Sequence, residues 1–171
     1  IGYIGIFGIF FSIIISYLTS LIFPHNNLHN LIYISLGLIF FIIFFKKKYE
    51  KLKTKYFLFS YLLSFFAIFY FKSHDDFSYY HLSLINNIVE NKIEFGISHF
   101  DIAFNHVSSL FYFHSLFKTI FTGDYFYQIG QLGIVVFVNT ILFENIFNKN
   151  LNKFLNVKFF LNLFLLIFVN I

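Results

Sequence analysis

A long apolar run at the start of the chain constrains its fold more than any other feature. Residues 1–23 are interrupted only by Gly, Ser and Thr, and a helix needs roughly 20 apolar residues to cross a bilayer. Charged residues make up only 12% of the chain, whereas a soluble domain carries about 25%. Further apolar runs follow at 31–45, 56–71, 107–121 and 130–147. We therefore predict an all-α, polytopic membrane protein.

The Lys-rich segment 46–55 sets the expected orientation of these runs. It carries six Lys and one Glu, and Lys-rich loops lie on the cytoplasmic side. The run 56–71 then crosses outward, and 72–106 is an exoplasmic loop. If every run crosses once, the segment 148–158 falls outside although it carries three Lys. Either the stronger Lys segment prevails or 107–121 is re-entrant, and we predict about five to six transmembrane helices.

The two ends of the sequence resemble internal positions of a membrane protein. Residue 1 is Ile inside an apolar run, and the chain has no Met. The apolar run 159–171 stops before it could cross a bilayer. We expect residues 1–171 to form a single, incomplete transmembrane domain of a longer chain.

Composition also excludes several classes of site. The net charge of +4 does not indicate nucleic-acid binding, because the Lys residues cluster beside the spans, and the expected partners are membrane lipids. The absence of Cys excludes disulfides, thiolate metal sites and Cys nucleophiles. Neither a phosphate-binding Gly loop nor a G-x-S-x-G motif is present.

The exoplasmic loop holds most of the side chains that can carry chemistry, and its first half predicts a helix. Ser73 and Asp76 have the S-x-x-D form of a capping box, with Ser73 as N-cap. From Phe77 to about Asn91, apolar and polar positions fall on opposite sides at helical periodicity. We predict an amphipathic helix that lies along the membrane surface.

Asp75 and Asp76 are the first candidates for a functional role. Two carboxylates this close cannot both ionise freely, so the pKa of one rises and suits it to proton transfer. Alternatively, the pair binds a divalent cation, Mg or Mn, together with His74 or His81, because these ions prefer oxygen ligands. A third interpretation is that both only cap the helix, which contributes roughly 0.5–2 kcal/mol. The residues alone leave the three open.

His81 falls on the apolar side of the predicted helix. An ionisable group there needs a partner, so it is either a functional residue or a hydrogen-bonded structural histidine. A second polar cluster precedes the next apolar run and comprises His99, Asp101, Asn105 and His106. A zinc site there lacks a known ligand spacing. The remaining histidines are assigned structural or turn roles: His25, His29 and His114.

The order of these features resembles the first exoplasmic loop of GT-C glycosyltransferases. These multispanning enzymes take sugars from polyprenyl-phosphate carriers, and their loop also combines an acidic motif, a surface helix and a following span. More narrowly, residues 75–112 resemble a largely uncharacterised family of bacterial polytopic membrane proteins. The matching residues are Asp75 or Asp76, Tyr80-His81-Leu82, Gly96-Ile97-Ser98-His99 and Phe104-Asn105-His106-Val107-Ser108-Ser109.

This resemblance implies an activity and a location. Asp75 and Asp76 would be catalytic, as base or as ligands of a divalent cation, while an acceptor hydroxyl attacks the anomeric carbon and polyprenyl phosphate leaves. The implied substrate is a lipid-linked sugar, used in cell-surface polysaccharide or glycolipid assembly at the bacterial cytoplasmic (inner) membrane. The implied substrate-binding residues are Tyr80, His81, His99, Asn105 and His106.

A non-enzymatic polytopic protein, such as a polysaccharide or lipid transporter, is the alternative. A transporter has polar or broken positions at the midplane of several helices, whereas here the polar residues concentrate in one loop. An ion channel would need a pore-lining pattern, which the sequence does not display. The sequence therefore favours a transferase over both.

Overall fold

The protein is helical wherever its structure is described. The computed structural model describes residues 1–48, 54–68, 77–96, 99, 107–123, 126–147 and 161–166. In these ranges there is no strand. The named helices are α1 (Gly2–Ser20), α2 (Asn27–Lys48), α3 (Thr54–Ile68), α4 (Leu82–Glu90), α5 (Ser109–Ser115) and α6 (Phe126–Ile146). A π-helical turn, Phe77–His81, runs directly into α4.

Three helices in the described ranges are long and apolar enough to cross a membrane. Their spanning windows are Gly2–Ser20, Asn27–Phe44 and Ile129–Ile146. These helices indicate a membrane protein and confirm the all-helical class. The predicted five to six spans exceed this number.

The distribution of side chains on α1 and α2 is the reverse of that in a soluble protein. Large apolar residues are exposed, including Phe7 at 64% and Phe40 at 69%, while Ser16 and Ser20 are fully buried. Apolar side chains on the outside cost little only where the surroundings are themselves apolar. This arrangement is what lipid requires of a helix pair.

The turn between α1 and α2 is defined by two local signals. The N–H groups of Ile22 and Phe23 donate to the carbonyl of Thr19, and Pro24 follows where it cannot continue the helix. The side chain of Asn26 then accepts a hydrogen bond from the N–H of His29 at 3.0 Å, as an N-cap does. This cap starts α2 at Asn27, four residues before the predicted run.

The chain divides into two compact units. The first unit comprises residues 1–8, 47–71 and 131–171, and the second unit comprises 9–46 and 72–130.

In the first unit, α3 and α6 run antiparallel. The ring of Tyr56 stacks on Phe147 at a centroid distance of 5.8 Å. Towards the other end of α3, Asn139 Nδ2 donates to Ser64 Oγ at 3.1 Å. The end of α6 therefore lies beside the start of α3.

The start of α1 approaches α6 closely because it carries glycine. A Cβ atom built on Gly2 would lie 2.8 Å from the carbonyl oxygen of Phe137. A Cβ atom on Gly5 would collide with the Phe137 ring, whereas Gly8 has open space around it. The close contact thus depends on the first two glycines only.

In the second unit, α4 and α5 pack around a small core of Leu84, Ile85, Ile88 and Phe111. With seven residues, α5 is only about 10 Å long, a third of the roughly 30 Å hydrocarbon thickness. Turns occupy most of 116–123 after it. Among the described residues of the run 107–121, the α-helix is therefore too short to cross a bilayer by itself.

We expect Gly5→Ala to destabilise the chain and Gly8→Ala to leave it unchanged or slightly stabilised. The new methyl group at position 5 must displace the Phe137 ring, and such overpacking costs about 1–3 kcal/mol. At position 8 the substitution only reduces backbone freedom in the unfolded state. Thermal unfolding of the detergent-solubilised full chain measures both. Equal effects of the two substitutions would contradict the close packing.

Candidate functional site

The described part of the predicted loop helix is helical, whereas its predicted N-cap, Ser73, lies outside the described residues. The π-helical turn covers Phe77–His81, α4 follows to Glu90, and Asn91 is the C-cap. A π-helical turn widens the helix by one residue and is often found at functional sites. Leu84, Ile85 and Ile88 are buried. The proposed location of this helix on a membrane surface stays a prediction.

His81 lies at the end of the π-helical turn, on the side that packs against α5. Its ring is half-buried and meets Phe111 edge-on, at a centroid distance of 4.9 Å. Tyr80 also contacts Phe111, at 5.8 Å, and packs against the core of α4 and α5. The apolar-side position predicted for His81 agrees with this arrangement.

His114 faces the same interior from α5. It is buried, and burial together with the nearby charge of His81 lowers its pKa to about 4. Its ring lies against Gly130, where a Cβ atom would approach Nδ1 to 2.8 Å. The neutral imidazole of His114 and the ring of His81 therefore border one small region between the π-helical turn and α5.

A third histidine, His25, is fully buried in the turn between α1 and α2. Its Nδ1 lies 2.6 Å from Ser115 Oγ, and its Nε2 lies 3.1 Å from Thr19 Oγ1. Ser115 Oγ also donates to the carbonyl of Tyr112 at 2.7 Å, and Thr19 Oγ1 to that of Ser16 at 3.1 Å. The ring of His29 stacks on that of His25 at 4.6 Å.

Asn30 completes this network. Its side-chain Nδ2 lies within donor distance of three carbonyl oxygens, those of His25 at 2.8 Å, Ser115 at 2.7 Å and Lys118 at 2.8 Å. We refer to Thr19, His25, His29, Asn30 and Ser115 as the His25 cluster. It fixes the end of α5 to the turn between α1 and α2.

Sequence reasoning missed the His25 cluster as a unit. Its partners are separated by 90 residues for His25 and Ser115 and by 85 for Asn30 and Ser115, and no local pattern joins them. The closeness of His25, His29 and Asn30 after Pro24 was the available signal. His25 does lie in the turn, as expected, whereas His29 belongs to the first turn of α2.

The remaining predicted site residues are only partly covered by the described ranges. Asp75, Asp76, Asn105 and His106 lie outside the described residues. His99 is exposed, and its N–H donates to the carbonyl of Gly96 at 2.9 Å. Among the described residues, no group of three His, Asp or Glu side chains could hold a metal ion. A cation at Asp75 and Asp76 stays a prediction.

Comparison with known proteins gives no match to a protein-family model, a curated protein or a solved structure. The resemblance to GT-C glycosyltransferases therefore depends on the loop residues quoted above.

We expect the stability of the chain to fall as the pH decreases from 6.5 to about 4. Burial, and then the charge of His29, lower the pKa of His25 from 6.5 to about 4. The unfolded state therefore binds the proton first, and the stability present above pH 6.5 is lost as the pH approaches 4. His25→Asn should reduce this pH dependence, measured as the unfolding temperature in detergent, and leave the part that His114 contributes through its own lowered pKa. His99→Asn, at an exposed position, is the control, and an equal flattening by both would contradict the assignment.

Proposed function

We propose that this chain belongs to a membrane-embedded, GT-C-like glycosyltransferase. It uses a polyprenyl-phosphate-linked sugar in the assembly of cell-surface polysaccharide or glycolipid at the bacterial cytoplasmic membrane. The observation that carries this proposal is the compact layer formed by the π-helical turn, α4 and α5. The chain builds this layer directly after Asp75 and Asp76, and His81 faces its interior.

The topology of the proposal puts this layer on the exoplasmic side. In the first unit the end of α6 lies beside the start of α3, and the proposal therefore assigns the segments 46–55 and 148–158 to the same side of the membrane. Together they carry nine of the twelve Lys residues, which favours the cytoplasmic side for both. The short α5 supports the same assignment. If 107–121 does not cross the membrane, the Lys-bearing segment 148–158 falls on the cytoplasmic side and no longer conflicts with its charge.

The proposed spans are then five in number. They are the three candidate spans, α3 and the apolar run 159–171. Residues 161–166 of that run are helical. The π-helical turn and α4 form the amphipathic helix at the membrane surface. Its buried side, with Ile85 and Ile88, packs on α5, and its exposed side carries Ser83 and Glu90.

In the proposed chemistry, Asp75 or Asp76 accepts the proton of the acceptor hydroxyl as that oxygen attacks the anomeric carbon. Polyprenyl phosphate leaves with the bonding electrons. His81 binds the lipid phosphate, and His99, Asn105 and His106 contribute to substrate binding. Tyr80 acts by packing on Phe111 and so positions the neighbouring His81. A divalent cation, if used, would be held by the two Asp carboxylates.

One observation favours a transporter as the second candidate. Asn139 and Thr140 of α6 are fully buried, as are Ser60 and Ser64 of α3. Buried polar positions within membrane helices mark translocation pathways in transporters. Ser60 and Thr140, however, donate to the carbonyls of Tyr56 and Val136 four residues back, which is how isolated hydroxyls are satisfied in helices.

The topology can be tested with single Cys residues, since the chain has none. We expect Ser83→Cys to react with a membrane-impermeant maleimide in intact cells. Lys46→Cys and Asn150→Cys should react only after the cells are opened. Labelling of Asn150→Cys together with Ser83→Cys in intact cells would mean that 107–121 crosses the membrane.

Activity can be tested in membranes supplied with a radiolabelled polyprenyl-phosphate sugar. We expect either Asp75→Asn or Asp76→Asn to reduce transfer about 100-fold or more, because loss of a catalytic base has effects of that order. Glu90→Gln, at an exposed acidic position of α4, should transfer normally. Full transfer by both Asp variants, with loss of glycan export in Asn139→Leu, would favour the transporter.

A further inference from the structure

The second unit contains a cleft that none of the proposed catalytic residues lines. It has a volume of about 70 Å³ and lies where the end of α4, the segment after it and α5 meet. Leu84, Ile88 and Val107 supply an apolar wall, and Asn87, Lys92 and Glu94 supply polar groups. The cleft therefore admits a small polar group, with the remainder of a ligand outside.

Two opposite charges line this cleft without pairing with each other. Lys92 and Glu94 are both exposed, and the ion pair found among the described residues joins Ile1 to Glu144 instead. Asn87 accepts a hydrogen bond from Asn91 Nδ2 at 2.8 Å, so its own NH₂ group remains a donor. The cleft thus offers a cation, an acceptor carboxylate and an amide donor to one ligand.

The position of the cleft identifies the environment of that ligand. The N–H of Ile93 donates to the carbonyl of Ser20, the last residue of α1, at 2.9 Å. Tyr112, which also lines the cleft, packs edge-on against Tyr17 of α1 at 5.3 Å. Because α1 is a candidate span, its end lies at the depth of the lipid headgroups.

We propose that this cleft binds the phosphoethanolamine headgroup of a phospholipid. Lys92 and Asn87 bind the phosphate oxygens, and Glu94 accepts hydrogen bonds from the primary ammonium group. The apolar wall covers the carbon atoms between headgroup and acyl chains. A purely anionic headgroup would leave Glu94 facing a like charge, and a trimethylammonium group has no N–H to donate to it.

The test is a lipid titration of the full chain, purified in detergent and followed by native mass spectrometry. The probes are phosphatidylethanolamine, phosphatidylglycerol and phosphatidylcholine with identical acyl chains. We expect phosphatidylethanolamine to bind roughly three- to tenfold more tightly than the other two, since charge-assisted hydrogen bonds contribute about that factor at exposed sites. Lys92→Gln should weaken binding of all three lipids.

Glu94→Gln gives the decisive readout. It should reduce the preference for phosphatidylethanolamine over phosphatidylglycerol to about one, and a folding defect would not change this ratio selectively. Glu90→Gln, at an exposed position that does not line the cleft, should keep the preference. A ratio near one in the unsubstituted chain, or one unchanged by Glu94→Gln, would overturn the proposal.

The same headgroup also occurs in soluble form, and a competition experiment separates the two sources. Glycerophosphoethanolamine added in equimolar amount should fail to displace the lipid, because it lacks the acyl chains held by the surrounding membrane surface. Complete displacement would overturn the assignment to a lipid and leave the soluble compound as the ligand.

Discussion

The arrangement of the second unit depends on how the carbonyl groups at the end of α5 are satisfied. A helix leaves its last carbonyls without intrahelical donors, and a short helix in apolar surroundings cannot rely on water for them. Asn30 supplies the donor for the carbonyls of Ser115 and Lys118, and His25 holds the Ser115 hydroxyl. Asn30, in the first turn of α2, thus adds a side-chain donor to the backbone N–H groups that satisfy the carbonyls at the end of α5.

This early end of α5 has consequences for the rest of the chain. The short α5 packs on α4, and the core around Ile85 and Phe111 forms between them. The same packing turns His81 and His114 towards one interior region. The histidine arrangement and the proposed topology therefore have one origin, namely a buried polar network that stops an apolar helix.

Much of the helical layout could be predicted from sequence, because long apolar runs and a helical period report directly on helices. The run 1–23 and the loop helix from Phe77 to Asn91 match α1 and the π-helical turn with α4.

The run 107–121 was ambiguous because hydropathy averages over residues and does not register a capping hydrogen bond. Ser108 accepts from the N–H of Leu110 at the start of α5, and the donor at its end is Asn30, 85 residues away from Ser115. Of the candidate site, the place of His81 was predictable; the catalytic role of Asp75 and Asp76 stays a prediction.

The contact between His114 and Gly130 links the possible substitutions at the two positions. The imidazole occupies the space that a side chain at position 130 would need, so a larger residue at 130 requires a smaller one at 114. In related sequences, a larger residue at position 130 should be accompanied by a smaller one at position 114. Where histidine is retained at 114, glycine should be retained at 130, although nothing in the helical propensity of α6 favours it.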